Sequence, residues 1–102
     1  MRRAKIRIDN DIAYPVLNIL RRNGGFINSA EIEMVLNMGG ATVRGCIHYL
    51  RESGHPVIST GMGYKYTTNK KEIKSCIKSL LQRASKIQCA AYALDDTLDA
   101  MV

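Results

Sequence analysis

Apolar residues recur at helical spacing in several separate stretches of this chain, and turn-forming residues mark the breaks between them. Ile12, Val16, Leu17 and Leu20 form the first stripe. Asp9-Asn10-Asp11 opens it as an acidic cap and Asn23-Gly24-Gly25 closes it. Pro15 is expected in the first turn, where its missing N–H costs little. The second stripe, Ile32, Val35 and Leu36, follows Asn28 and Ser29, whose side-chain oxygens suit an N-cap. Glu31, three residues after Asn28, completes a capping box. Asn37-Met38-Gly39-Gly40 then leads to Val43, Cys46, Ile47 and Leu50. A turn this short sets two helices at a steep angle, and its two glycines let the backbone leave the right-handed region at little cost. The helix after the turn is predicted over about residues 41 to 53, stopping at Gly54 with Pro56 beyond.

Two runs rich in β-branched and aromatic residues follow, Pro56-Val57-Ile58-Ser59-Thr60 and Tyr64-Lys65-Tyr66-Thr67, joined by Gly61-Met62-Gly63; they predict a hairpin. Phe26-Ile27 is a two-residue strand able to pair with it. Helix, turn, helix and hairpin in this order predict a winged helix. From Thr68 and Asn69, a good cap, the pattern changes. Ile73, Ile77, Leu80, Ala84, Ile87, Ala91, Leu94 and Leu98 are separated by 4, 3, 4, 3, 4, 3 and 4 residues, a heptad stripe flanked by Leu81, Ala90 and Tyr92. A helix of about 25 residues is longer than so small a core can cover, so the stripe predicts a partner. A second copy of the chain is the expected one, and folding back onto its own domain is the alternative.

Leu20, Asn28-Ser29-Ala30-Glu31-Ile32, Leu36, Met38, Val43, Ile47, Leu50-Arg51, Gly54, Val57-Ile58 and Gly61-Met62-Gly63-Tyr64 together resemble the DNA-binding domain of the bacterial biotin repressor. That domain belongs to a group of winged helix-turn-helix modules also found in small phage and bacterial regulators. The resemblance covers roughly residues 12 to 68 and has no counterpart in the last third. It implies a winged helix-turn-helix fold with DNA as the ligand, although winged helices also serve as protein-protein adaptors. The expected fold is mainly α with a small β wing (α+β). A basic N-terminal arm occupies residues 1–9, the winged helix-turn-helix domain 10–68, and a C-terminal dimerisation helix with an acidic tail 69–102.

Charge sharpens this reading. The chain carries +6 formally, yet Asp95, Asp96 and Asp99 sit together near its end, so residues 1–94 hold 15 basic against 6 acidic groups, +9. A basic body favours a polyanion as partner, through phosphate contact and counterion release. Arg2, Arg3, Lys5 and Arg7 alternate with Ile6 and Ile8 in an arm that could lie in a groove or pair as an edge strand. There is no run of apolar residues long enough to span a bilayer and no apolar stretch behind the first charges, so neither membrane contact nor a signal peptide is expected. Cys46, Cys76 and Cys89 are odd in number and lack Cys-x-x-Cys spacing. They read as small apolar packing residues in a reducing, cytoplasmic setting.

With Val43, Cys46, Ile47 and Leu50 turned inward, Ala41, Thr42, Arg44, Gly45, His48 and Arg51 form the outer face that would enter a major groove. Arg44 is the candidate for a base edge, because a guanidinium can donate two bonds to guanine. Thr42 and His48 are candidates for base or phosphate contacts, and Arg51 for phosphate. In the wing, Met62 at the tip and Lys65 could touch phosphate or minor groove, and Lys70, Lys71 and Lys74 could extend that face. Lys78, Arg83 and Lys86 read as solvated helix charges. His48 and His55 have no second ligand at metal spacing, so no metal and no cofactor is expected. There is no phosphate loop, no nucleophile with an evident base and no carboxylate pair in the folded part, which argues against an enzyme. The expected function is sequence-specific binding of double-stranded DNA as a homodimer, by a transcriptional regulator of phage or bacterial origin. The competing reading is a winged-helix adaptor, or an inhibitor of a nucleic-acid-binding complex, with a host protein as partner.

Overall fold

Residues 7–101 are described by a computed structural model. Three helices, α1 (Asn10–Asn23), α2 (Ser29–Leu36) and α3 (Gly40–Glu52), are followed by a hairpin, β1 (Val57–Thr60) and β2 (Gly63–Tyr66), and a long helix, α4 (Lys70–Ala100). The architecture is α+β, mainly helical, with a two-stranded antiparallel sheet. Arg2, Arg3 and Lys5 of the expected basic arm lie outside the described residues.

Local chemistry sets each boundary. Asp9 Oδ1 accepts from the Ile12 N–H at 3.1 Å, Asn28 Oδ1 from the Glu31 N–H at 2.9 Å, and Asn69 Oδ1 from the N–H groups of Lys71 and Glu72 at 2.9 and 3.2 Å. Each satisfies donors that the first helical turn leaves free. Gly24 ends α1 in the left-handed conformation, φ 70°. The return half of the expected capping box is not made; instead the Ser29 hydroxyl donates to Glu33 Oε2 at 2.9 Å.

The core is a closed set. Ala13, Val16, Leu17 and Leu20 of α1, Ile32 of α2, and Val43, Cys46, Ile47 and Leu50 of α3 pack together with Ile27 and Val57. The β1–β2 register pairs Val57 with Tyr66, Ile58 with Lys65, Ser59 with Tyr64 and Thr60 with Gly63, leaving Gly61-Met62 as the turn. The extra strand expected at Phe26-Ile27 is reduced to one bridge, in which Ile27 and Tyr64 exchange N–H to carbonyl bonds at 2.9 and 2.8 Å. Gly63 is required there. Its φ is +119°, and a Cβ would stand 2.3 Å from the Ile27 carbonyl oxygen.

Four local expectations are corrected. In the α2–α3 turn the left-handed residue is Asn37, φ 50°, whereas Gly39 is extended and Gly40 is already helical. Asparagine tolerates this conformation better than most residues, so the glycines were not needed for it. Val35 is 67% exposed and Met34 82%; α2 has only eight residues and turns Ile32, with Leu36 partly, onto α3. Pro15 is the sixth helical residue, because Asp9 caps so early, and having no N–H it leaves the carbonyl of exposed Asp11 without a helical donor. Ala13 rather than Ile12 is the fully buried residue near the start of α1.

Helix α4 docks on β1 through its first turns only. Cys76 is buried, Ile73 and Leu80 are half-buried, and from Leu81 to Met101 every residue is exposed. The Cα radius of gyration, 16.7 Å, exceeds the roughly 13 Å of a compact chain this long because α4 projects. The alternative in which this helix folds back on its own domain is not adopted.

Candidate functional site

Between α3, the hairpin and the docked turns of α4 lies an open cleft of about 480 Å3. Asn28 and Ser29 line it at the start of α2, Arg44, Ile47, His48 and Arg51 come from α3, Ser59, Thr60, Gly61, Gly63 and Tyr64 from the hairpin, and Leu80 and Arg83 from α4. Among the described residues no carboxylate lines it. Three arginines, a histidine and the hydroxyl residues Ser29, Ser59 and Thr60 therefore line one concavity, and residues of this kind suit an anion.

These side chains are not equally free. Arg44 is exposed, with no hydrogen bond or ion pair among the described residues; its Nη1 and the Oε1 of Glu33 each lie 3.4 Å from where a Cβ on Gly40 would be, so one carboxylate stands near it outside the cleft lining. His48 is exposed and meets Glu52 one helical turn on. Arg51 is committed to the fold: its Nε–H donates to the Val57 carbonyl at 2.8 Å and Nη2 donates to Ser59 Oγ at 3.1 Å, with Cys76 Sγ at 3.9 Å. It ties α3 to β1 and α4.

The remaining residues picked out on the outer face and in the wing lie elsewhere. Thr42 is half-buried and outside the cleft lining. Gly45 faces Ile8, whose Cγ1 lies 3.1 Å from an added Cβ, so the absent side chain accommodates the segment before α1 rather than baring α3 to a ligand. Met62 is exposed at the hairpin tip, where its N–H donates to Thr60 Oγ1 at 3.1 Å. Lys65 points to the opposite side. Its Nζ donates to both Glu72 oxygens at 3.0 and 3.2 Å and lies 5.3 Å from the centre of the Phe26 ring. The Glu72 carboxyl, accepting from Lys65 and from the Thr67 hydroxyl at 2.8 Å, is held below the usual glutamate range.

Arg83 is the cleft residue that sequence reasoning placed among solvated charges. The signal for it was its position seven residues after Cys76 and three after Leu80, the face of α4 that docks. Of the stripe residues, Ile73 and Leu80 spend surface on the domain, whereas Ile77, Ala84, Ile87, Ala91 and Leu94 are exposed. Cys46 is buried, with its Sγ 3.8 Å from the Ile12 carbonyl and its thiol pKa raised by burial; Cys76 is buried too. Cys89 departs from the expected packing role and is exposed on α4. Among the described residues no group of His, Cys, Asp or Glu could hold a metal ion, and no helix is long and apolar enough to cross a membrane.

The chain matches no known protein family, and neither the curated proteins nor the solved structures include a significant match to it.

Proposed function

We propose that the protein is a winged helix-turn-helix DNA-binding protein that acts as a homodimeric transcriptional regulator, with α3 as the recognition helix and the β1–β2 hairpin as the wing. The observation that carries this reading is the cleft that Arg44, His48 and Arg83 share, whose lining holds no carboxylate among the described residues. Arg44 is the base reader, His48 and Arg83 contact phosphate, and Met62 at the wing tip reaches the flanking minor groove. Arg51 holds the wing against α3. Lys65 does not take part.

Selection of bound duplexes from random DNA, followed by fluorescence anisotropy on the selected site and on an unrelated duplex, tests this. Arg44→Ala is expected to cost about 1–3 kcal/mol on the selected site and less on the unrelated duplex. Arg83→Ala is expected to weaken both alike and to lower the salt slope by about one ion. Lys65→Ala is expected to change neither. Absence of measurable binding at low salt would refute the reading.

One observation favours the adaptor as a second reading. Met34 and Val35 stand side by side on α2, 82% and 67% exposed, with no use in DNA binding. Val35→Glu leaves DNA affinity unchanged if DNA is the target, and abolishes partner capture if α2 is an adaptor face.

A further inference from the structure

The projecting half of α4 exposes an apolar face of Ala84, Ile87, Ala91, Leu94 and Leu98 flanked by Leu81, whose leucines and isoleucine are each between 64% and 70% exposed. Bare helices of such length are marginal in water, and monomers rarely display so large an apolar strip. Its charges are segregated. From Lys70 to Lys86 there are six basic residues and one acid, Glu72, which is held by Lys65; from Ile87 to Ala100 there are three aspartates and no base. Each half thus carries the sign that its own helix dipole disfavours, cations toward the N-terminus and carboxylates toward the C-terminus.

We propose that a second copy of this chain covers that face, and that the two α4 helices run antiparallel, with Lys78 of each chain against Asp99 of the other and with Lys74 and Asp95 flanking that pair. The proposal rests on the dimeric part of the function above and adds its geometry. With the apolar stripe at the seam, Lys74, Lys78, Asp95 and Asp99 fall on one flank of the helix. A twofold axis perpendicular to the helices places this flank against its own copy run backwards, so base meets acid at both ends. The docked turns as far as Leu80 limit the apolar seam to the free stretch from Leu81 onward, whose midpoint lies near Cys89, and the exposed Lys74 and Lys78 lie just beyond its end. That register brings Asp99 of the second copy within about one residue of Lys78, with Lys74 and Asp95 to either side of the pair, each about 7.5 Å from its nearest opposite charge along the axis.

Side-chain size agrees independently. In this register Ala84 meets Leu94 of the second copy and Ile87 meets its Ala91, so small opposes large through the seam. A parallel pair would stack Ala84 on Ala84 and Ala91 on Ala91, and would crowd all six aspartates at one end. The antiparallel arrangement also separates the two docked domains by about 40 Å along the helix axis, at 1.5 Å per residue. That is close to the spacing of half-sites one turn of DNA apart, about 34–36 Å.

Charge reversal on the full-length chain tests the geometry by sedimentation equilibrium. One variant carries Lys74→Glu and Lys78→Glu, the other Asp95→Lys and Asp99→Lys. Each alone is expected to self-associate at least about tenfold more weakly than the wild type, and an equimolar mixture to recover wild-type association as a heterodimer. In a Cys89→Ser background, Ala84→Cys is expected to form an intermolecular disulfide when mixed with Leu94→Cys and not with itself. A wild-type monomer at tens of micromolar, undiminished association of either reversed variant, a mixture that recovers nothing, or an Ala84→Cys disulfide with its own copy would each overturn the proposal. No DNA is present in any arm, so these failures are separate from loss of the cleft's function, which the Arg44 and Arg83 titrations read.

Discussion

Replacing Arg51 distinguishes a side chain that holds the fold from one that holds phosphate. Its guanidinium makes two hydrogen bonds inside the domain, at 2.8 Å to the Val57 carbonyl and at 3.1 Å to Ser59 Oγ. A hydrogen bond with a charged donor contributes about 1.5–3 kcal/mol, and truncation leaves the strand carbonyl without its donor. Arg51 is half-buried, so water offsets part of this loss, and the expected cost of Arg51→Ala is about 2–3 kcal/mol. For a domain of this size that corresponds to a fall in Tm of about 10–20 °C. Arg51→Lys keeps the charge but lacks the Nε–H and the planar fork, so it is expected to share most of the loss. Urea and thermal unfolding of the wild type and both variants measure it. An unchanged Tm for Arg51→Ala, accompanied by weaker DNA binding that Arg51→Lys restores, would refute the assignment and return Arg51 to the phosphate contacts.

Three further outcomes are expected. Gly63→Ala drives a methyl group into the Ile27 backbone at a φ that side chains rarely adopt; the cost should exceed about 3 kcal/mol in urea unfolding, and amide exchange at Ile27 and Tyr64 should accelerate. Because the folded pKa of Glu72 is lowered by Lys65 and Thr67, its contribution to stability is present above the usual glutamate range and is lost as pH falls through the folded pKa. Thermal unfolding curves of the wild type and Glu72→Gln should therefore differ near neutrality and converge in acid, and a gap that persists or widens in acid would contradict this. A disulfide reagent should label Cys89 promptly in the native protein, and Cys46 and Cys76 only on unfolding, with mass spectrometry identifying the sites.

Periodicity and punctuation made the elements legible, because caps and stops act within a few residues. Asp9, Asn28, Asn69 and Gly24 each take the role their chemistry suggests, and the first three helices and the hairpin lie within a residue or so of their expected places, whereas α4 runs 31 residues rather than about 25 and takes the acidic tail into the helix. What one strip of sequence does not display is which long-range partner claims a polar side chain. Lys65 is a cation on a hairpin in either reading; only folding brings Glu72 round the Thr67–Asn69 corner to bind it. Arg51 likewise stands on the outer face of α3 by period, yet the carbonyl of Val57 captures it. Period places Gly45 on the outer face with the groove-facing residues, because Ile8, thirty-seven residues earlier in the chain, is not a neighbour in any periodic sense. Arg83 reaches the cleft only because α4 docks as far as Leu80 before departing.

The corner between the hairpin and α4 has a mechanical consequence. Thr67 Oγ1 accepts from the Asn69 N–H at 3.1 Å while its hydroxyl donates to Glu72, and Lys65 closes the same carboxylate from the strand. The junction is thus a splint and not a leash. A flexible tether would let the cleft and the far end of α4 search many separations and would lose that freedom on each binding event. Here the ordering entropy is spent once, at folding, and the distance between the two surfaces is fixed beforehand. In the proposed dimer this would let targets be discriminated by length as a ruler does, and lengthening the Thr67–Asn69 corner with glycines is expected to abolish that discrimination while leaving both surfaces chemically intact.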